Sequence, residues 1–159
     1  MNKHMYSGLL TSAAALVAML ASAITANADP GHKFAAGELG DPRKVSRIIE
    51  VVARESDGKM MFVPNKIEIR KGEQVRFVVR NAGELDHEFV LATREENRKH
   101  AAEMQKNPDM EHEDPNMKKI GTKKTSELVW RFTKLGTFEF GCLIPGHYES
   151  GMFGTIIVK

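Results

Sequence analysis

From Val45 to the C-terminus, apolar and polar residues alternate in short runs broken by glycine, proline and asparagine, the pattern of half-buried strands joined by turns. Gln74 to Arg80 alternates well. Thr125 to Thr133 puts Leu128, Trp130 and Phe132 on one face, and Thr137 to Cys142 does the same with Phe138 and Phe140. His87 to Ala92 reads as a short strand, and Phe153 to Lys159 as a last one. Met60 to Val63 and Lys66 to Arg70 are extended pieces on either side of a Pro64-Asn65 turn. Lys71-Gly72-Glu73, Asn81-Ala82-Gly83 and Gly136 supply further breaks. Val45, Ile48, Ile49, Val51 and Val52 form a β-branched stretch that reads as a strand, although its imperfect alternation also admits a short helix.

One segment departs from this pattern. Thr93 to Lys106 is dense in Glu, Arg, Lys and Ala, Thr93 and Glu96 form a capping box, and Asn107-Pro108 is a stop. A helix is predicted there, followed by a polar loop from Met110 to Lys119. Together these elements predict an all-β fold, an antiparallel β-sandwich with one helical insertion around residues 93–107. Phe77, Phe89, Trp130, Phe138 and Phe140 are its candidate core. No internal repeat is visible.

The N-terminus follows a different logic. Lys3 and His4 precede an apolar run from Leu9 to Ile24, and Ala26-Asn27-Ala28 offers small residues for cleavage. Residues 1–28 therefore read as a secretory signal peptide, too short and too poorly flanked for a membrane anchor. Residues 29–44, rich in Gly, Pro and charge, read as a flexible leader, and residues 45–159 as the folded domain. The mature protein is expected in the periplasm, with no membrane association after cleavage.

The chain has 159 residues, 42% of them hydrophobic, with 23 Lys+Arg against 21 Asp+Glu. That balance fits one globular domain and excludes a nucleic-acid-coating protein, which needs a strong basic footprint. The sequence holds one cysteine, Cys142. In an oxidising compartment an exposed lone thiol would oxidise or cross-link, so it must be buried or used.

Its neighbours bear on that choice. Cys142, His147 and Met152 follow one another at equal steps in a loop bent by Pro145, Gly146 and Gly151. A thiolate, an imidazole and a weak axial thioether suit copper in a one-electron site. His87, which opens a strand elsewhere in the chain, is the best candidate for a second imidazole. Each residue alone has a plainer explanation: Cys142 as a small buried hydrophobe, His87 as an ordinary strand-end histidine, Met152 as core filler. Their conjunction favours a metal site. Zinc is the runner-up, but methionine is a poor zinc ligand.

These residues closely resemble the cupredoxin family over roughly Met60 to Lys159. The family's aromatic-x-aromatic-x-Cys strand appears as Phe138-Glu139-Phe140-Gly141-Cys142, and its ligand loop as Cys142, His147 and Met152. Its upstream His follows a Gly-x-x-Val-x-Phe strand and an Asn turn, here Gly72 to Phe77, Asn81 and then His87. The resemblance implies a Greek-key sandwich with a type 1 copper, with His87, Cys142 and His147 as equatorial ligands and Met152 as the axial one. Glu88 stands after His87, where many members carry Asn or Ser.

The insertion carries further soft donors: His100 and Met104 four apart on one helix face, then Met110, His112 and Met117. They could hold additional, weak copper(I), or the methionines could simply pack the helix onto the sandwich. The chain also resembles the exported copper-tolerance cupredoxins of bacteria, although His32 is the only histidine in its leader. The reading is a periplasmic, monomeric type 1 copper protein cycling Cu(II) and Cu(I) in copper tolerance, with a dedicated respiratory or photosynthetic electron shuttle as the alternative. It is not expected to be an enzyme, because no compact His cluster exists for a second, substrate-accessible metal. A transient redox protein partner is expected to dock near His147, on Leu143, Ile144 and Pro145. The sandwich should fold without metal.

Overall fold

The computed structural model describes residues 34–108 and 113–159, so the expected signal peptide and the start of the leader lie outside the described residues. In chain order the elements are β1 (Glu38–Leu39), β2 (Arg47–Ser56), β3 (Lys59–Val63), β4 (Lys66–Ile69), β5 (Gln74–Asn81), β6 (His87–Ala92), α1 (Arg94–Lys106), β7 (Met117–Ile120), β8 (Thr125–Arg131), β9 (Gly136–Gly141) and β10 (Phe153–Val158). They form two five-stranded sheets, ordered β1-β8-β5-β2-β3 and β4-β10-β9-β6-β7. The expected β-sandwich with one helix is thus present. Most neighbouring strands are antiparallel, but β2 lies parallel to β5, and β4 parallel to β10.

The core fills the space between the sheets. Phe89 and Phe140 stack with ring centroids 5.1 Å apart, Phe62 meets both edge-on, and Phe77 leans on Phe89 at 5.3 Å. Trp130 and Phe132 are also fully enclosed. Alternation explains how the rest is placed. Side chains two apart on a strand share a face, so His87 points inward with Phe89 and Leu91, and Cys142 follows Phe138 and Phe140. Their neighbours Glu88, Val90 and Glu139 take the other face of the same sheet. That face is covered too: Val90, Ala101, Met117 and Leu143 form a second buried cluster beneath α1. Every residue of β6 is therefore buried.

The helix forms as expected. The Thr93 hydroxyl accepts from Glu96 N–H, and the Glu96 carboxylate accepts from Thr93 N–H, closing both ends of the capping box. Asn97, Ala101 and Met104 are its buried positions, at the spacing of one helical face.

Two expectations change. The leader, expected to be flexible over residues 29–44, is docked where the structure describes it. Phe34 sits edge-on to Trp130 at 5.5 Å, Ala36 is fully buried and accepts a hydrogen bond from Trp130 Nε1, and Glu38–Leu39 pairs with β8. Its Gly and Pro content masked two apolar anchors. The expected polar loop from Met110 to Lys119 ends in a strand, β7, whose polar composition reflects an edge position beside β6.

Phe89 touches three other aromatic rings two residues from His87, so Phe89→Ala should cost about 3–5 kcal/mol in urea unfolding of the metal-free protein. The wild-type metal-free protein should itself give a β-type circular dichroism spectrum and a cooperative melt, because the core is held by aromatic contacts among Phe62, Phe77, Phe89 and Phe140 and not by the donor side chains.

Candidate metal centre

Three donor side chains meet at one end of the sandwich. Cys142 Sγ lies 3.3 Å from His147 Nδ1 and 4.0 Å from His87 Nδ1, and the two Nδ1 atoms are 3.2 Å apart. All three ligand atoms fall within 4.8 Å of one another, and all three residues are buried. Met152 is fully enclosed in the same core cluster as Cys142, and its carbonyl accepts the Cys142 N–H at 3.0 Å. A buried thiol and two facing imidazoles, with no carboxylate in the cluster, form a donor set for a soft or borderline cation. Copper fits this chemistry.

Local structure explains how each donor is held. Cys142 follows directly on β9, and Met152 precedes β10, so the hairpin between those strands carries the ligand loop. Within it, His147 N–H donates to Ile144 O and Met152 N–H to His147 O. Gly146 and Gly151 adopt φ of +87° and +92°, a backbone region that L side chains rarely enter, and so permit the two tight reversals. On the far side, Asn81 organises the approach to His87. Its amide donates to Leu85 O and Ile120 O, and its carbonyl accepts Gly83 N–H.

The thiol is shielded. Burial pushes Cys142 from its ordinary value of 9.0 up to about 12, against the opposing effect of N–H groups of Glu88 and Ile144. The Glu88 N–H reaches Sγ at 3.3 Å. Those donors face the position where a thiolate's charge would sit once a cation displaced the proton. Burial, and then the neighbouring His87, hold His147 below the ordinary imidazole range, which keeps its ring neutral and able to donate a lone pair.

Two supports carry no signal in the sequence. Glu55, on β2, places Oε1 2.7 Å from His87 Nε2. Glu139, buried on β9 between Phe138 and Phe140, accepts from Tyr148 Oη at 2.7 Å and from Asn97 Nδ2 at 3.2 Å, with Arg94 Nε 3.9 Å away. Burial, followed by this bond to Glu139, raises the Tyr148 hydroxyl well above the ordinary phenol range. Tyr148 follows His147 directly, and Gln105 of the helix donates to Glu149 at 2.5 Å. The helical insertion thus braces the ligand loop at two points.

The other expected donors are not gathered in this way. Met104 and Met117 are both buried, and Met117 packs with Val90, Ala101 and Leu143. Met104 lines a hollow of about 530 Å³ beside His87, Ile120, Ile144 and Pro145, whereas His100 lines a different one with Val90 and Asn116. Met110 and His112 lie outside the described residues. Leu143, expected on a docking surface, is fully buried under the helix, because the outer face of β9 is covered.

Because the folded state holds Cys142 protonated to about pH 12 while the unfolded thiol ionises near 9.0, its contribution to stability is complete below pH 9 and is lost between pH 9 and 12. The metal-free melting temperature should fall over that interval, the thiol contributing up to about 1.4 kcal/mol per pH unit. Subtracting the profile of Cys142→Ala should isolate this contribution.

The family described as copper binding proteins, plastocyanin/azurin family, matches residues 49–159. A copper-resistant cuproprotein CopI of Rubrivivax gelatinosus is 42% identical over 151 residues, covering 86% of this chain and 90% of that protein. The protein of the same name from Pseudomonas aeruginosa is 36% identical, covering 98% and 99%. Among solved structures, auracyanin B superposes with a TM-score of 0.62 at 20% identity, over 78% of this chain and 95% of that one, a likeness of fold. The chain belongs to the copper-binding plastocyanin/azurin family, the cupredoxins, and copper is the cofactor for which its buried cluster is suited.

Proposed function

We propose that this chain holds one copper ion through His87, Cys142, His147 and Met152, and that it handles single electrons in the service of copper tolerance in the periplasm. The observation that carries this reading is the convergence of one buried thiol and two imidazole Nδ1 atoms from stretches of chain more than fifty residues apart (|i−j| = 55 for Cys142 and His87). When bound, copper supplies a Cu(II)/Cu(I) couple. The residues supply the rest. Cys142 would release its proton to solvent on becoming a ligand, and the Glu88 N–H would face the resulting charge. His147 offers an uncharged ring, and the aromatic core keeps water from the inward face. A scaffold of two packed sheets resists rearrangement when an electron arrives or leaves.

Tolerance is favoured over a dedicated shuttle because two relatives aligned over most of the chain carry the name copper-resistant cuproprotein. The protein is read as an electron-handling module and not an enzyme. Export rests on the signal-peptide pattern of residues 1–28, and among the described residues no helix is long and apolar enough to cross a membrane. A redox partner would dock transiently on the monomer where Ile144, Pro145 and Gly146 reach the surface beside His147.

The purified chain should take up one tightly bound copper and show an intense visible thiolate band that Cys142→Ser abolishes, with the EPR spectrum changing in parallel. Weaker copper at His100, Met104, Met110, His112 and Met117 would appear as stoichiometry above one after the tight site fills. In cells, deleting the gene should lower the copper concentration that stops growth while leaving growth on each electron acceptor unchanged; the reverse pattern would assign the protein to an electron-transport chain.

A further inference from the structure

Glu55 occupies an unusual place in the topology. β2 runs parallel to β5, and their last registered pair is Ala53 with Asn81. Two residues further on, Glu55 has passed the end of β5 and faces the loop that leads to His87. Its Oε2 accepts Glu84 N–H at 2.8 Å, and its Oε1 meets His87 Nε2 at 2.7 Å. The His87 side chain is wholly buried, and that of Glu55 is 24% exposed. The loop makes room for this approach. A Cβ on Gly83 would lie 2.1 Å from Glu55 Oε1 and 2.5 Å from Cδ and Oε2, so only glycine leaves the carboxylate where it is.

We propose that Glu55 is a positioning residue of the metal centre, fixing His87 as its Nε2–H tautomer so that the Nδ1 lone pair faces Cys142 and His147, and enriching that ring so that the site favours the higher copper oxidation state. A carboxylate on the remote nitrogen orients a ligating imidazole and increases its basicity. The Glu84 N–H on Oε2 anchors the carboxylate so that Oε1 is left facing the ring. Gly83 and Glu55 then act as one device, with the glycine admitting the carboxylate and the carboxylate aligning the ring. The inference depends on the proposed role of His87 as a copper ligand.

The test compares wild type, Glu55→Gln, Gly83→Ala and Glu84→Gln at pH 7 by copper titration and redox potentiometry, with long-range 1H–15N spectra of the metal-free proteins. Glu55→Gln keeps an acceptor but removes the charge, and should weaken Cu(II) binding about tenfold or more with little change for Cu(I). Each tenfold difference raises the one-electron potential by about 59 mV. Gly83→Ala retains the carboxylate but displaces it, and should move the potential the same way, which keeps the test open if either variant folds poorly. Glu84→Gln loses the same charge without touching His87 and should leave the potential near wild type. Metal-free wild type should show the Nε2–H tautomer at His87. Unchanged potentials in both Glu55→Gln and Gly83→Ala, an equal shift in Glu84→Gln, or an Nδ1–H tautomer would overturn the role of Glu55 while leaving the copper site standing. If the wild type itself develops no thiolate–copper band, the ligand assignment falls, and this inference with it.

Discussion

Everything at this centre depends on the two-residue alternation of two neighbouring strands. β6 and β9 run antiparallel with Val90 opposite Gly141, and that register brings the start of one and the end of the other to the same edge of the sandwich. Since Phe89 and Phe140 must both face the core, His87 and Cys142 must as well. A slip of one residue in either strand would send its donor to the opposite face. The hydrophobic core therefore sets the position of these two side chains as well as the stability of the fold, and the loop between β9 and β10 has only to bring in His147.

The reverse side of the same sheet shows what the helix contributes. Glu139 is a buried carboxylate, and such a group is costly unless its hydrogen bonds are supplied. Here they come from Tyr148 in the ligand loop and Asn97 in the helix. Removing one partner would leave a buried charge short of a donor, at a cost of about 1–3 kcal/mol. The insertion is thus bound to the loop through a group that neither element could bury alone. Met117, which in the sequence suggests extra metal affinity, packs in the apolar cluster beneath the helix.

How much of this was legible in the sequence varies with the range of the interaction. Strands, helix and capping box follow from local periodicity, and Cys142, His147 and Met152 declare themselves because three soft donors share one short loop. His87 could be picked out because it opens a strand. Glu55 could not, because nothing in its surroundings on β2 distinguishes it from Glu50; only the parallel pairing with β5, a tertiary fact, carries it past Asn81 to the imidazole. Glu139 was equally silent, since a charged residue between two phenylalanines reads as the solvent side of a strand until a helix is found covering it. The docked leader was missed for the opposite reason: Phe34 and Ala36 are too few apolar residues to outweigh the Gly and Pro around them.

The outermost strands also bear on how the protein behaves when crowded. β1 is two residues long, β3 and β4 open with Lys59 and Lys66, and β7 carries exposed Lys118 and Lys119. Short or lysine-bearing margins repel a second copy that might extend the sheet by strand addition. At high protein concentration the unpaired peptide groups of these margins are thus poor templates for aggregation.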